Sequence, residues 1–142
     1  VYTALGDMWG LKVFENISRS ETSHMDAVLA LLDRYDLDDP AGQPGEFSNP
    51  ELQGLYDELM ALGTRSLTDA LLVGATIEDV DIVDLRKRLA AADNEDVQLV
   101  FENLIRGSEN HLRAFSRQLD RKGVEYEPQY MTQAEYEEIL AS

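Results

Sequence analysis

The chain has 142 residues, and its 28 Asp and Glu against 12 Lys and Arg set a formal net charge of -16. That acidity repels nucleic acid and anionic membrane surfaces, so neither is expected as a partner; it fits cation attraction and plain solubility equally well. Hydrophobic residues make up 44% and charged residues 28%, the balance of a soluble domain long enough to bury its own core, and 1–142 reads as a single domain. There is no cysteine, which excludes disulfides, thiolate sites and iron–sulfur clusters and leaves oxygen and imidazole as the available metal ligands. No apolar run approaches the ~18 residues of a membrane span, and no signal peptide is visible.

VYTALGDMWG opens inside a helical pattern, without an N-cap or an initiator Met. The first helix is therefore expected to begin before Val1 and to stop near Gly10. A cytoplasmic chain is favoured, with an exported form left open by that unseen start. A long helix follows over Leu11 to Tyr35. The stretch DLDDPAGQPGEFSNP, Asp36 to Pro50, holds three of the four prolines and reads as a loop. Ser48-Asn49-Pro50-Glu51 is a helix start with Pro at the first turn, and the short helix it opens stops at Gly63. Thr64 or Ser66 starts another helix that reaches about Ala92, and Asp93-Asn94-Glu95 interrupts and restarts the chain. The last long helix runs to Lys122 and stops at Gly123. VEYEPQYM looks extended, and Thr132 to Glu135, TQAE, resembles a capping box for a short terminal helix. No strand alternation survives anywhere, and there is no internal repeat. Three long helices and a truncated first one suggest an all-α four-helix bundle. The segment from Asp36 to Gly63 is long enough to cross from one end to the other.

Each long helix carries a ladder at heptad-like spacing. The ladders are Phe14, Ile17, Glu21, His24, Val28, Leu31, Tyr35; Leu67, Leu71, Gly74, Glu78, Asp81, Leu85; and Val97, Phe101, Leu104, Ser108, His111, Phe115. All three are apolar at both ends and polar for one i, i+3 step in the middle, a spacing that makes neighbours on one helix face. In a bundle the three steps would meet at one height, forming a layer of Glu21, His24, Glu78, Asp81, Ser108 and His111. The layer contains both histidines of the chain. Carboxylates and imidazoles converging in an apolar core are costly unless paired or bound to a cation, and the donor set suits a divalent or trivalent metal ion. The competing reading is a metal-free network of protonated histidines and carboxylates, sensitive to pH near neutrality.

SETSHMDAVLALLDRY, VGATIEDVDIVDL, NLIRGSENHLRAF and PQYMTQAEYEEIL together resemble the ferritin-like superfamily, and most closely an uncharacterised prokaryotic ferritin-like family known as a domain of unknown function. The resemblance implies a ferritin-like antiparallel four-helix bundle, with a long crossover containing a short helix and a short C-terminal helix. It also implies a di-iron or di-manganese centre with ligands Glu, Glu-x-x-His, Glu and Glu-x-x-His on successive helices. Glu21 and His24 match the second-helix pair, Glu78 the third-helix Glu, and His111 the fourth-helix His. Ser108 stands where the last Glu is expected. Glu109 is one position late and turned about 100° away. Asp81 is an additional carboxylate able to supply the missing oxygen, and the first-helix Glu would fall before Val1. The implied metal ligands are thus Glu21, His24, Glu78, Asp81 and His111, holding one or two iron or manganese ions. The implied chemistry is iron oxidation or the reduction of oxygen or peroxide, with metal ions and small oxidants as partners and a homodimer left open. The alternatives are a non-catalytic ferritin-like binding or structural module with a metal-free core, and a storage site.

Other features carry less. Tyr2, Trp9 and Tyr35 are read as core and helix-end packing rather than redox neighbours. Arg106 and Arg113 flank the polar layer, either balancing it or lying on the surface. DLDDP lacks the Gly and terminal Glu of an EF-hand loop. Asn16-Ile17-Ser18 fits a glycosylation triplet but has a core residue at its centre. No phosphate-binding loop, dinucleotide fingerprint or Ser–His–Asp arrangement is present. Gly74 and Gly107 sit inside helices at a cost of ~1 kcal/mol each relative to Ala, which points to close approach by a neighbour.

Overall fold

The structure, a computed structural model, describes residues 1–37 and 49–142. Among these residues it is all-helical, with six helices and no strand: α1 Tyr2–Trp9, α2 Lys12–Arg34, α3 Pro50–Gly63, α4 Leu67–Ala91, α5 Glu95–Asp120 and α6 Gln133–Ala141. Most of the loop expected from Asp36 to Pro50, with most of its acidic run DLDDP, lies outside the described residues. No described helix is long and apolar enough to cross a membrane.

The helix ends follow local chemistry. Gly10, at φ 63°, turns α1 off in the left-handed region that favours glycine. The Asn49 side chain accepts from the Glu51 amide ahead of α3, with Pro50 in its first turn. Ser66 Oγ accepts the Asp69 amide at 3.0 Å and starts α4. Asn94 Oδ1 accepts the amides of Asp96 and Val97 and starts α5. The α5 helix ends at Asp120 rather than Lys122, because the Lys122 and Gly123 amides turn back to the carbonyls of Leu119 and Asp120. Gly123 follows at φ 69°. Thr132 and Glu135 form the reciprocal capping box ahead of α6.

The chain divides into two compact units, Val1–Ala70 and Leu71–Ser142. In the first, α1 packs on α2. Leu5, Phe14 and Ile17 are buried, and the Tyr2 and Phe14 rings lie 6.5 Å apart. The Trp9 indole donates to the Gly63 carbonyl at 2.9 Å, tying the end of α1 to the end of α3. A Cβ on Gly63 would come within 2.9 Å of the Leu5 methyls, so a larger residue there would push the Leu5 side chain aside. Tyr2 and Trp9 thus have the packing and helix-end roles expected of them.

The ladder on α2 holds only over its first half. Phe14 and Ile17 are buried, but Val28 is 37% and Tyr35 41% exposed, so neither is a core residue as expected. Within its unit α2 packs on α1, and the contacts between them fall on its first half, Phe14 against Tyr2 and Ser18 against Thr3.

The core of the second unit is built from Leu71, Val73, Ala75 and Ile82 of α4, Leu104, Ile105, Leu112, Phe115 and Leu119 of α5, and Tyr126, Met131, Tyr136 and Ile139 of the C-terminal segment. Gly74 has the role expected of it: a Cβ there would overlap the Phe115 ring, so the ring lies directly on the α4 backbone.

Candidate metal centre

The residues of the polar layer fall in both units. In the first, Glu21 and His24 are one turn apart on α2. Nδ1 of His24 is 3.6 Å from Oε1 of Glu21, with the side chains 22% and 31% exposed respectively. At that distance the two are an ion pair when the imidazole is protonated, and both side chains are partly exposed.

In the second unit the environment is drier. Leu71, Gly74, Glu78 and Ile82 recur at three- or four-residue spacing along α4 and all are buried, which turns the Glu78 carboxylate into the interior at 0% exposure. On α5, Leu104, Ser108, His111 and Phe115 form the matching buried stripe, with His111 7% exposed. The two meet: Nδ1 of His111 is 3.2 Å from Oε1 of Glu78. A carboxylate with no access to water is stable only beside positive charge or hydrogen-bond donors. An imidazolium supplies that directly, and a cation shared by the two side chains supplies it equally.

Ser108 is buried where the resembled motif carries Glu, so this position faces inward with a hydroxyl in place of a carboxylate. Asp81 is half-buried, at the edge of the α4 stripe. Glu109 is turned away from the pair, as its offset on the helix requires. Its carboxylate accepts from Arg86 at 3.2 Å and lines an open groove with Arg86, Glu102 and Arg106. Arg106 donates to Asn103, and Arg113 donates to Asn110 and to the carbonyl of Ile139.

Sequence reasoning missed Asp79. It is fully buried, one residue from Glu78 and so about 100° around α4. Its Oδ2 accepts the Tyr126 hydroxyl at 2.7 Å and the amides of Gln129 and Tyr130 at 2.7 and 3.1 Å, and its Oδ1 accepts the Met131 amide at 2.8 Å. Four donors from one short segment thus solvate this carboxylate in place of water. Burial, and next the Asp79 carboxylate beside it, pushes the Tyr126 phenol above its ordinary range. The signal was present in IEDVDIV: Asp79 is flanked by Ile77, Val80 and Ile82, so the buried face of α4 is wider than a single ladder.

Residues 1–142 match the family described as Uncharacterized protein domain (DUF2202). The chain is 51% identical over 144 residues to an uncharacterized protein of Methanocaldococcus jannaschii, covering 100% of this chain and 78% of that one. The crystal structure of a hypothetical protein from Methanococcus jannaschii is similar at a TM-score of 0.96 and 50% identity, covering 99% of this chain and 82% of that chain. Over its whole length the chain belongs to the DUF2202 family.

Proposed function

We propose that this protein is a ferritin-like four-helix bundle that binds one or two iron or manganese ions and supports oxidoreductase-type chemistry. The observation that carries the reading is the Glu78–His111 pair, a carboxylate and an imidazole 3.2 Å apart and both buried. Two ligands at right angles on one ion, with bonds of about 2.1 Å, stand about 3 Å apart, so the spacing fits a shared metal as well as a hydrogen bond. The oxygen and nitrogen donor set suits iron or manganese. The sequence ladders add Glu21 and His24 from α2 and Asp81 from α4 to the proposed ligand set. Bound metal would supply electron transfer for oxidising ferrous iron or reducing oxygen or peroxide. The chain's own contribution is to hold the Glu78 oxygen and the His111 nitrogen at fixed separation in a dry setting.

Plasma mass spectrometry on untagged protein purified without chelator tests this. Stoichiometric iron or manganese is expected in the wild type, lost in Glu78→Ala and Glu21→Ala. Wild-type protein empty of metal after anaerobic loading with ferrous iron would sink the reading.

The same pair favours one competitor. Glu78 and His111 already lie within hydrogen-bond distance, so a metal-free ion pair in a binding or structural module of the same fold accounts for the geometry without a cation. In that case the Ala variants change stability and leave metal content at zero.

A further inference from the structure

The C-terminal segment grips both helices that bear the Glu78–His111 pair. On α4, Tyr126, Gln129, Tyr130 and Met131 converge on the single carboxylate of Asp79. On α5, the Tyr136 hydroxyl of α6 is 2.7 Å from Ser116 Oγ, and Arg113 donates to the Ile139 carbonyl at 2.9 Å. The Tyr126 and Tyr136 rings join the two grips edge to face, with centroids 5.7 Å apart. The α4 helix is therefore held at consecutive residues from two directions: Glu78 toward α5, Asp79 toward the segment 126–131.

We infer that this segment is a clamp that sets the separation of Glu78 and His111, with Asp79 as the positioning residue through which it acts on α4. Side-chain tips lie about 5–6 Å from a helix axis, so a rotation of only about 10° moves one by ~1 Å. A binding constellation tolerates about 0.5 Å. The four bonds to Asp79 oppose such a rotation, and weakening them lets the Glu78 oxygen shift from its place beside Nδ1. Asp79 lies about 100° around α4 from Glu78, so its bonds act on the pair through the helix.

The metal consequence rests on the metal-binding reading above; the consequence for the pair does not. The experiment has two readouts on wild type, Asp79→Asn and Tyr126→Phe. The first is the imidazole nitrogen resonances of His111 in metal-free protein, with His24 as a reference in the other unit. The second is manganese(II) affinity by calorimetry. The His111 resonances are expected to move in both variants, more in Asp79→Asn, and manganese affinity to fall about 10- to 100-fold in Asp79→Asn. A purely structural role would lower the melting temperature and leave the resonances in place. Folded variants with wild-type His111 resonances overturn the clamp even if the wild type binds manganese. Moved resonances in a protein that binds neither manganese nor ferrous iron uphold the clamp and sink the metal reading. If Asp79→Asn does not fold, Tyr126→Phe decides, since it deletes one hydroxyl and keeps the ring.

Discussion

The Tyr126 hydroxyl donates to Oδ2 of Asp79 at 2.7 Å across 47 residues of chain, inside the core of the second unit. A buried hydrogen bond to a charged acceptor contributes about 1.5–3 kcal/mol, so Tyr126→Phe should lower stability by that amount. Asp79→Ala strands two buried donors, the Tyr126 hydroxyl and the Met131 amide, as well as two partly buried ones. At about 1–3 kcal/mol for each buried donor, the expected loss is about 2–6 kcal/mol. Urea denaturation followed by circular dichroism measures both. A loss in Asp79→Ala no larger than in Tyr126→Phe would mean that the backbone amides are not held by this carboxylate.

The same bond sets an alkaline limit. Burial first, and then the Asp79 carboxylate, raises the Tyr126 phenol above its ordinary value in the folded state. A raised folded value means that the associated stability is fully present below the ordinary phenol pKa of about 10 and is lost as the pH climbs from there toward the folded value. Ultraviolet titration of the phenolates should show Tyr126 ionising late, together with an alkaline loss of stability. Both should be diminished in Tyr126→Phe. An unchanged alkaline transition in that variant would assign the limit to another group.

Gly74 and Phe115 offer a packing test. A methyl group at residue 74 overlaps a fully buried ring, and overpacking a core costs about 1–3 kcal/mol. The helix preference of Ala over Gly returns about 1 kcal/mol, so Gly74→Ala should destabilise by up to about 2 kcal/mol. Phe115→Leu leaves room for the methyl, and the double variant should be more stable than the two single losses predict. Strict additivity in the double-mutant cycle would show that the two residues are not in contact.

The capping box makes α6 sensitive to acid. The Thr132 backbone amide, and next its hydroxyl, lowers the Glu135 carboxyl below the ordinary glutamate value. A lowered folded value means that the stabilisation is present above the ordinary glutamate pKa and is lost as the pH falls through the folded one. The protection of α6 amides, taken relative to their intrinsic exchange rate at each pH, should fall across that acid window, and Glu135→Gln, which keeps an acceptor but does not titrate, should flatten the dependence. An equally steep profile in Glu135→Gln would place the titrating group elsewhere.

Much of the fold was legible because helix boundaries are local chemistry. Gly10 and Gly123, Asn49 before Pro50, Ser66, Asn94 and the Thr132–Glu135 box each act within four residues of chain, so reading them requires no knowledge of the tertiary structure. Burial was legible only in part. The i, i+3 ladder placed Glu78, Ser108 and His111 correctly in the interior, where Ala70 to Ile82 of α4 and Leu104 to Leu119 of α5 supply the buried residues. The same rule failed at Val28 and Tyr35, because a periodic pattern records which face a helix could bury and not what packs against it. Asp79 escaped because a buried carboxylate is indistinguishable from a surface one until its donors are known, and these lie 47 to 52 residues away.

By itself the sequence determined the six helices, the start signals of the last four, and the chemistry available for a site: oxygen and imidazole, and no thiolate. Those properties depend on residue type and short-range spacing. The tertiary structure alone decided that Glu78 meets His111 at 3.2 Å, that Glu109 turns to Arg86, and that the segment from Tyr126 to Met131 closes on Asp79. Each of these joins residues distant in the chain, and what brings them together is the burial of apolar faces, which is cooperative and carries no local signature.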